Sequence, residues 1–466
     1  MSRVLIIGAG PAGICAAQAL VAAGLSPVVV DSAARAGGQI YRRPPEGFTR
    51  PATTLYGSEA EKARRLHRDF DALVAQKKIA YLPSSTVMAL GPGAAEVVGP
   101  EGRCTLKFDR LILASGATDR LAPVPGWELP GTYSLGAAQI ALKAQGVALG
   151  RKIVLAGSGP LLTLLACQLR HAGAEVAAIL DTAPMSGQIR HGLAMACARP
   201  WVTLRGLRMR LSLGQSYHAA VSLERIDGDS GGVRALHWRD GRGRAHVTAC
   251  DMVAMGWHLR ADTILADLAG ASFEWSSDFA QWLPKRDAML RAGQGIYLAG
   301  DGARPLGADG AELSGRLAAL ACLHDLELSQ DDPAPLQRAL ARMEAFATAM
   351  SRAFPWPAEQ VRGLPDRAVI CRCEGITARA LRALAREAGG DANRAKSLSR
   401  VGMGRCQGRY CQLAGAEILA ATTGRSPAQT GRLRAQSPAR PVTVGQWLRR
   451  DPRQDHLTVE PDEDRR

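Results

Sequence analysis

Residues 4–31 read VLIIGAGPAGICAAQALVAAGLSPVVVD, and this stretch decides the fold. Val4 to Ile7 and Val28 to Val30 are apolar runs that predict buried strands, and the Ala- and Leu-rich segment between them predicts a helix. The turn that opens the helix holds five candidate binding residues: Gly8, Gly10, Pro11, Ala12 and Gly13. Glycines at this spacing give a tight turn, let the backbone approach a pyrophosphate, and let helix and strand pack closely. Asp31, which ends the second run, would accept hydrogen bonds from an adenosine ribose. The stretch therefore predicts a dinucleotide-binding βαβ unit.

Two later segments indicate which nucleotide this unit binds. Residues 110–118 read RLILASGAT and residues 295–303 read GIYLAGDGA, each a predicted strand that runs into a small-residue turn. Both resemble segments of the flavoproteins that contain two dinucleotide-binding domains. The resemblance implies that the first unit holds FAD and that the Asp of the second segment accepts hydrogen bonds from the flavin ribityl chain. The site residues that it adds are Gly38, Gln39, Ala114, Gly116, Gly300 and Asp301. For Gly38 and Gln39, an ordinary surface turn is the alternative.

A second unit of the same kind follows in the middle of the chain. It consists of a predicted strand from Lys152 to Ala156, a helix to about Ala172 and a strand from Ala177 to Leu180. Its candidate nucleotide contacts are Gly157, Gly159 and Asp181. Leu162 replaces the third glycine, so a side chain occupies the place where helix and strand should touch. We interpret this unit as a doubly wound domain whose NAD(P) site is altered, which disfavours NAD(P) binding.

Four cysteines form a constellation near the carboxyl end: Cys371, Cys373, Cys406 and Cys411. Four thiolates satisfy a [2Fe-2S] cluster as two per iron, and thiolates also bind zinc. Structural zinc sites usually have two to four residues between paired ligands, so the CRC spacing fits zinc poorly. We favour a cluster over zinc or inert thiols, and Arg372, Arg405 and Arg409 would place cations beside it. The other six cysteines are scattered and offer no redox dithiol beside a flavin.

The composition is that of an ordinary globular protein, and it does not indicate nucleic-acid binding. The chain has 466 residues, of which 47% are hydrophobic and 22% charged, as in ordinary globular proteins. The net charge of +15 is concentrated beyond residue 350, but aromatic residues make up only 5% and no groove-reading motif is present, so we expect no nucleic-acid partner. The apolar N-terminus follows the nucleotide-binding pattern rather than that of a leader peptide. A cytoplasmic location is predicted, with peripheral attachment to the inner membrane as the alternative.

The chain as a whole resembles the larger, alpha-type subunit of heteromeric flavin-dependent amino-acid dehydrogenases. This group includes opine oxidases, hydrogen cyanide synthase, and D-hydroxyproline and proline dehydrogenase complexes. The motifs that carry the resemblance are GAGPAG at 8–13, PVPGWELPGTYSLGAAQIALK from 123, VLAGSGPLL at 154–162, CRCEGIT at 371–377 and VGMGRCQGRYC at 401–411. The C-terminal part is similar to the bacterioferritin-associated-ferredoxin-like [2Fe-2S] domain, which also occurs on glycerol-3-phosphate dehydrogenases.

The resemblance implies a role in electron transfer. A smaller partner similar to D-amino-acid oxidases would oxidise an amino or imino acid, and this subunit would relay electrons through flavin and a [2Fe-2S] cluster to a quinone or another carrier. Some complexes add a small ferredoxin-like subunit, and some relatives hold ADP or ATP here with FMN at the subunit interface. The alternatives are a self-sufficient NAD(P)H-dependent reductase of a ferredoxin-like carrier and a non-catalytic scaffold. No residue is assigned as a catalytic base.

The predicted fold class is α/β, a glutathione-reductase-like pair of dinucleotide-binding domains with a small, mainly helical [2Fe-2S] domain. The expected divisions are an FAD-binding domain at 1–120 and 291–330, a second dinucleotide domain at 121–290, a linker and helix at 331–360, the [2Fe-2S] domain at 361–425, and an extended basic tail with an acidic end at 426–466.

Overall fold

The computed structural model describes residues 2–452, and its first nucleotide-binding unit forms from two separate parts of the chain. The N-terminal part contains β1 (Val4–Ile7), α1 (Pro11–Ala22), β2 (Val28–Val30), α2 (Ala52–Tyr56), α3 (Ala60–Ala75), β3 (Ala80–Leu82), β4 (Thr86–Gly91), β5 (Ala94–Gly99), β6 (Gly102–Lys107), β7 (Arg110–Leu113) and β8 (Ala117–Asp119). The middle part contains β9 (Thr132–Ser134), α4 (Leu135–Ile140), β10 (Lys152–Ser158), α5 (Pro160–His171), β11 (Glu175–Asp181), α6 (Met185–Ala198), α7 (Pro200–Ser212), β12 (Tyr217–Ala219), β13 (Ser222–Asp229), β14 (Gly232–Arg239), β15 (Ala245–Ala249), β16 (Met252–Trp257) and β17 (Leu259–Ala261).

The chain then returns to the first unit before it enters the C-terminal part. The returning part contains α8 (Ile264–Leu268), β18 (Phe273–Ser276), β19 (Gln281–Pro284), β20 (Arg291–Gly293), β21 (Ile296–Leu298), α9 (Gly307–Asp325), α10 (Ala334–Ala353) and α11 (Ala358–Arg362). The C-terminal part contains β22 (Val369–Cys371), β23 (Ile376–Thr377), α12 (Ala378–Ala385), α13 (Ala392–Ser399), α14 (Gln412–Thr423), α15 (Pro427–Thr430) and α16 (Val444–Leu448).

The first unit is a six-stranded sheet in the order β20-β21-β7-β1-β2-β3, parallel except for the pairing of β20 with β21. Its central strands β1 and β7 are almost wholly buried, as their continuous apolar runs predict. Helices α1 and α9 cross at backbone distance, since a Cβ atom on Gly315 of α9 would lie 2.1 Å from the carbonyl oxygen of Ala12. This close crossing fixes the start of α1 at the carboxyl edge of the sheet.

The second unit is a parallel five-stranded sheet in the order β12-β11-β10-β16-β9. Its helix α5 packs on the sheet through buried apolar side chains, including Leu162. A three-stranded antiparallel sheet of β13, β14 and β15 lies beside it. The two units together confirm the predicted glutathione-reductase-like fold class.

The C-terminal part shares its core with the second unit. One continuous buried cluster contains Trp127 and Trp257 from the second unit and Ile370, Cys371 and Ile418 from the C-terminal part. The Trp127 indole nitrogen donates a hydrogen bond to the carbonyl oxygen of Val369 at 2.7 Å, two residues before the first of the four cysteines. The cysteine region is therefore anchored on the second unit rather than linked to it flexibly.

The basic tail differs in one respect from the extended segment that its prolines suggest. Two short helices, α15 and α16, interrupt it, and each begins with a side-chain capping box. After α16 the chain returns to β6, where the Arg103 amide donates to the carbonyl oxygen of Arg449 at 2.7 Å and the Arg103 guanidinium lies over the Trp447 ring. The expected acidic end at 453–466 lies outside the described residues.

Helices α6 and α7 form a hairpin that exposes apolar side chains, which sequence patterning did not reveal. The exposed fractions are 72% for Ile189, 73% for Leu193, 80% for Trp201 and 70% for Leu211. The segment 185–213 contains five arginines and no carboxylate. In residues 2–452, no helix is long and apolar enough to cross a bilayer.

Candidate functional site

The N-terminus of α1 forms the floor of the first nucleotide site. Gly8 has a φ of +107°, and a Cβ atom there would lie 2.2 Å from the carbonyl oxygen of Ala114, which follows the neighbouring strand β7. A Cβ on Gly13 would lie 1.7 Å from the Gly8 carbonyl oxygen. Gly10 caps α1 without a side-chain hydrogen bond, and Pro11 takes the first helical position. The first amides of the helix are therefore available to an anionic group such as a pyrophosphate.

The other FAD-site residues predicted from sequence lie around this floor. A Cβ on Gly38 would lie 2.9 Å from the Gly10 Cα, so the loop that carries Gln39 sits against the start of α1. Gly300 reaches the same helix, since its Cβ would lie 3.0 Å from the Ala12 Cβ. Asp301 accepts hydrogen bonds from two amides at the start of α9, at 2.8 and 2.9 Å. The structure thus brings residues 8–13, 38–39, 114–116 and 300–301 to one edge of the sheet.

Asp31 lies at the same edge of the sheet, directly after β2. One of its carboxylate oxygens accepts a hydrogen bond from the Ala9 amide, and the other accepts one from the Ala33 amide at 2.6 Å. Burial raises the pKa of its carboxyl group, and these two amides oppose that shift. Each carboxylate oxygen can accept more than one hydrogen bond, so the geometry leaves capacity for a ribose hydroxyl.

The second nucleotide site has a different character. Asp181 is fully buried, and its carboxylate accepts hydrogen bonds from the Tyr217 hydroxyl, the Gln188 amide and the Ala183 amide at 2.9 Å. Gly157 packs on β16, since its Cβ would lie 1.9 Å from the Gly256 carbonyl oxygen. At Gly159, where α5 begins, a Cβ would meet the His258 ring at 3.0 Å. The ribose acceptor is enclosed and an imidazole covers the helix start, so this geometry disfavours NAD(P).

We expect that NADH does not reduce a flavin held by this chain. Protein donors already occupy the Asp181 carboxylate, and the His258 ring lies against Gly159 at the start of α5, so we expect the second unit to bind NADH poorly. Stopped-flow spectra of the flavin-loaded chain mixed with excess NADH should retain the oxidised flavin band, while dithionite bleaches it. Rapid bleaching by NADH would contradict this prediction and favour the reductase alternative.

The four cysteines meet in two contacting pairs. A side-chain hydrogen bond joins Cys371 with Cys411, and another joins Cys373 with Cys406. Cys371 and Cys411 are buried, Cys406 is half-buried and Cys373 is exposed, so the group has a closed side and an open side. Across residues 2–452, no three His, Cys, Asp or Glu side chains converge closely enough to hold a single metal ion. Cys411 interacts electrostatically with each of the other three cysteines, so the four thiols form one local group.

Backbone amides surround the sulfur atoms of this group. The hydrogen bond from Cys411 lowers the pKa of the Cys371 thiol to about 6, with further hydrogen bonds from the amides of Gly402, Glu374 and Cys373. Conversely, the hydrogen bond to Cys371, burial and the charges of the other three cysteines raise the pKa of Cys411. Gly404 has no room for a side chain, since its Cβ would lie 2.2 Å from the Cys373 Cβ. Crowding of four thiols among amide donors suits ligands that are neutralised by a bound cation.

Two side chains from the end of β17 contact residues 406–411, the cysteine loop. The sequence patterns did not predict either of them. The Arg260 guanidinium donates to the Arg409 carbonyl oxygen at 2.7 Å, and the Asp262 carboxylate accepts from the Arg409 Nε at 3.0 Å. Asp262 also contacts the first nucleotide site, since its carbonyl oxygen accepts from the Ser115 hydroxyl at 2.7 Å and its amide donates to the Gly116 carbonyl oxygen at 3.0 Å. Asp262 thus connects the cysteine loop to the loop of residues 114–116, which is predicted to contact the flavin.

Two of the three arginines expected beside the cysteines, Arg409 and Arg372, make contacts near them. Arg409 lies in the loop and also donates to the Cys406 carbonyl oxygen at 3.2 Å. Arg372 instead stacks on Trp127, with its guanidinium carbon 5.1 Å from the ring centroid. The PGWELPG motif carries a sequence signal for Trp127, whereas Arg260 and Asp262 have no motif around them.

Comparison with known proteins assigns the chain to a family. The pyridine nucleotide-disulphide oxidoreductase family matches residues 2–315, and the sarcosine oxidase A3 domain matches residues 366–449. The opine oxidase A chain of Rhizobium meliloti is 36% identical over 95% of this chain and 86% of the relative. Hydrogen cyanide synthase subunit HcnB of Pseudomonas aeruginosa is 31% identical over 94% of this chain and 97% of the relative. The crystal structure of L-proline dehydrogenase from P. horikoshii shares the fold, with a TM-score of 0.71, 20% identity, and coverage of 96% of this chain and 79% of that one.

The chain therefore belongs to the pyridine nucleotide-disulphide oxidoreductase family. Within it, the chain is an alpha-type subunit of the group that contains the opine oxidase A chain and hydrogen cyanide synthase subunit HcnB. The family resemblance inferred from the sequence motifs is confirmed.

Proposed function

We propose that this chain is the electron-transferring subunit of a heteromeric flavin-dependent dehydrogenase of amino or imino acids, of the opine, D-hydroxyproline or proline type. It would carry electrons from a partner flavoprotein, through FAD and a [2Fe-2S] cluster, to a quinone or another carrier. The proposal rests on a single observation. The cysteines contact each other in two pairs, and Asp262 connects their loop to residues 114–116, which are predicted to contact the flavin.

The residues of the first site fit FAD. The uncapped start of α1 would take the pyrophosphate, and Asp31 would take the adenosine ribose. Gly10 and Gly38 approach so closely that side chains there would fill the cradle. When bound, FAD accepts electrons in pairs and releases them one at a time. ADP or ATP at this site, with FMN at the subunit interface, is the alternative that the family resemblance implies.

The spacing of the four cysteines favours a [2Fe-2S] cluster over zinc. Paired ligands of structural zinc usually have two to four residues between them, whereas one residue separates Cys371 from Cys373. A cluster takes two thiolates on each of its two irons. Amide donors to Cys371 and the Gly408 and Tyr410 amide donors to Cys406 would stabilise such a cluster.

Spectroscopy of the whole chain tests this proposal directly. Anaerobically purified protein should show flavin bands, broad cluster absorbance and, after reduction, a low-temperature paramagnetic resonance signal from one reduced [2Fe-2S] centre. Metal analysis should give iron and acid-labile sulfide. Zinc in place of iron, or protein with neither metal nor flavin, would overturn it.

The exposed apolar side chains of the α6–α7 hairpin are evidence for an interface with a partner subunit. Trp, Ile and Leu side chains that are 70–80% exposed are typical of an interface core, and arginines are enriched at such sites. Arg199 and Arg205 pair with Asp309 and Glu59, but the segment itself supplies no carboxylate for its other three arginines. Their positive charges would repel a second copy of the same face and favour an acidic one. We propose that the smaller flavoprotein subunit, which would supply the substrate site, docks here with an apolar face rimmed by carboxylates.

We expect that Leu193→Asp weakens this complex at least about tenfold, because it buries an unpaired charge in the interface. The chain would be co-produced with the amine-oxidase-like flavoprotein that we expect to be encoded beside it, and the complex measured by size-exclusion chromatography. Val444→Asp is the matched control, since Val444 is an exposed apolar residue on α16. A complex that survives Leu193→Asp as well as Val444→Asp would place the interface elsewhere.

A further inference from the structure

Arg260 occupies an unusual position for a charged side chain. It is 5% exposed, and it belongs to β17, more than a hundred residues before the cysteine loop that it contacts. Its guanidinium donates to the carbonyl oxygen of Arg409, which lies between Cys406 and Cys411 in the chain. This hydrogen bond places a full positive charge against the segment that connects two of the four thiols.

The charges around Arg260 do not balance without the thiols. Asp262 is the nearby carboxylate, and Arg409 binds it through a charge-assisted hydrogen bond at 3.0 Å, with both side chains largely buried. Arg440 also interacts with Asp262, so three guanidinium groups share one carboxylate. A buried cation without an anion is strongly disfavoured. The groups that remain to compensate Arg260 are the sulfur atoms of Cys406 and Cys411, with which it interacts electrostatically.

We propose that Arg260 is a positioning residue that raises the reduction potential of the cluster assigned above, and this inference rests on the proposed function. A cluster held by four thiolates is negatively charged and gains one further negative charge on reduction. A nearby cation stabilises the reduced form more than the oxidised form, and burial away from water strengthens that preference. Arg260 would thereby make the cluster a better acceptor for electrons that leave the flavin.

Reduction potentials of three variants of the full-length chain test this inference. Arg260→Gln removes the charge but keeps a donor for the Arg409 carbonyl oxygen, and Arg260→Lys keeps the charge. Arg286→Met is the control, since Arg286 is a largely buried arginine that pairs with Glu344 in the first unit. Each is titrated anaerobically with redox mediators and followed by the paramagnetic resonance signal. We expect a lower midpoint potential for Arg260→Gln, a potential near wild type for Arg260→Lys, and no change for Arg286→Met.

The outcomes separate this inference from the proposal beneath it. A wild-type chain without iron would overturn the proposed function and this inference together. A wild-type cluster whose potential is unchanged by Arg260→Gln would overturn this inference alone. If Arg260→Gln fails to hold iron, Arg260→Lys decides: a potential lowered despite the retained charge would show that packing, not charge, is at work.

Discussion

Replacement of Cys373 by serine is expected to abolish electron output from the assembled enzyme while the flavin of the partner stays reducible by substrate. Cys373 is the exposed member of the four thiols and contacts Cys406. Its loss leaves three thiolates, and the proposed cluster needs two per iron. Because the loss of groups that merely support a metal ligand costs roughly 10–100-fold, we expect about a 100-fold or larger fall in dye or quinone reduction.

A matched variant separates cluster loss from general damage. Cys167 is a half-buried cysteine on α5, outside both the contacting pairs and the α6–α7 hairpin, and Cys167→Ser should retain iron, sulfide and turnover. The measurements are iron content, visible absorbance and reduction of an artificial acceptor by the complex. Wild-type turnover in Cys373→Ser would exclude the electron relay, even if the chain still bound flavin.

The second large effect is expected at Gly13. A Cβ on this residue would lie 1.7 Å from the Gly8 carbonyl oxygen and 3.4 Å from a methyl group of Ile6, so α1 must move away from β1. That shift displaces the amides that would hold the pyrophosphate. We expect Gly13→Ala to lower bound flavin at least about tenfold and to destabilise the fold by about 1–3 kcal/mol, as overpacking generally does.

A helical glycine in open space provides the control for this prediction. Gly192 lies in α6, where a Cβ would have no other atom within 4 Å, so Gly192→Ala should keep flavin and gain up to about 1 kcal/mol from helix propensity. Flavin-to-protein absorbance ratios and thermal unfolding of both variants give the comparison. Full flavin occupancy in Gly13→Ala would contradict the placement of FAD on α1.

Short-range sequence patterns were enough to predict the two parallel sheets and to single out the four C-terminal cysteines. The strands at Val4–Ile7 and Val28–Val30 have the predicted bounds, and the second unit follows its predicted strand, helix, strand order. Such features depend on apolar periodicity and on glycines whose neighbours leave no space for a Cβ. Leu162, which replaces the third glycine of the second unit, is packed in the core.

Contacts between distant segments could not be predicted in this way. Arg260 and Asp262 are ordinary polar residues in their local sequence, and only the return of the chain after β16 places them beside Arg409. The α6–α7 hairpin was also missed, because its apolar residues face solvent and therefore break the rule that apolar periodicity marks the core. Both features lie where we propose that the chain meets a cofactor or a partner subunit.

The bond between Trp127 and Val369 has a consequence for how this enzyme group can be recombined. Suppose that the C-terminal part that carries the four cysteines, here called the cysteine module, is exchanged between relatives. The Trp127 indole of the recipient must then fit the strand and the stacked arginine of another protein. A working chimera would need the PGWELPG loop transplanted together with the module. The two segments, far apart in the gene, are thus expected to travel as one inherited unit.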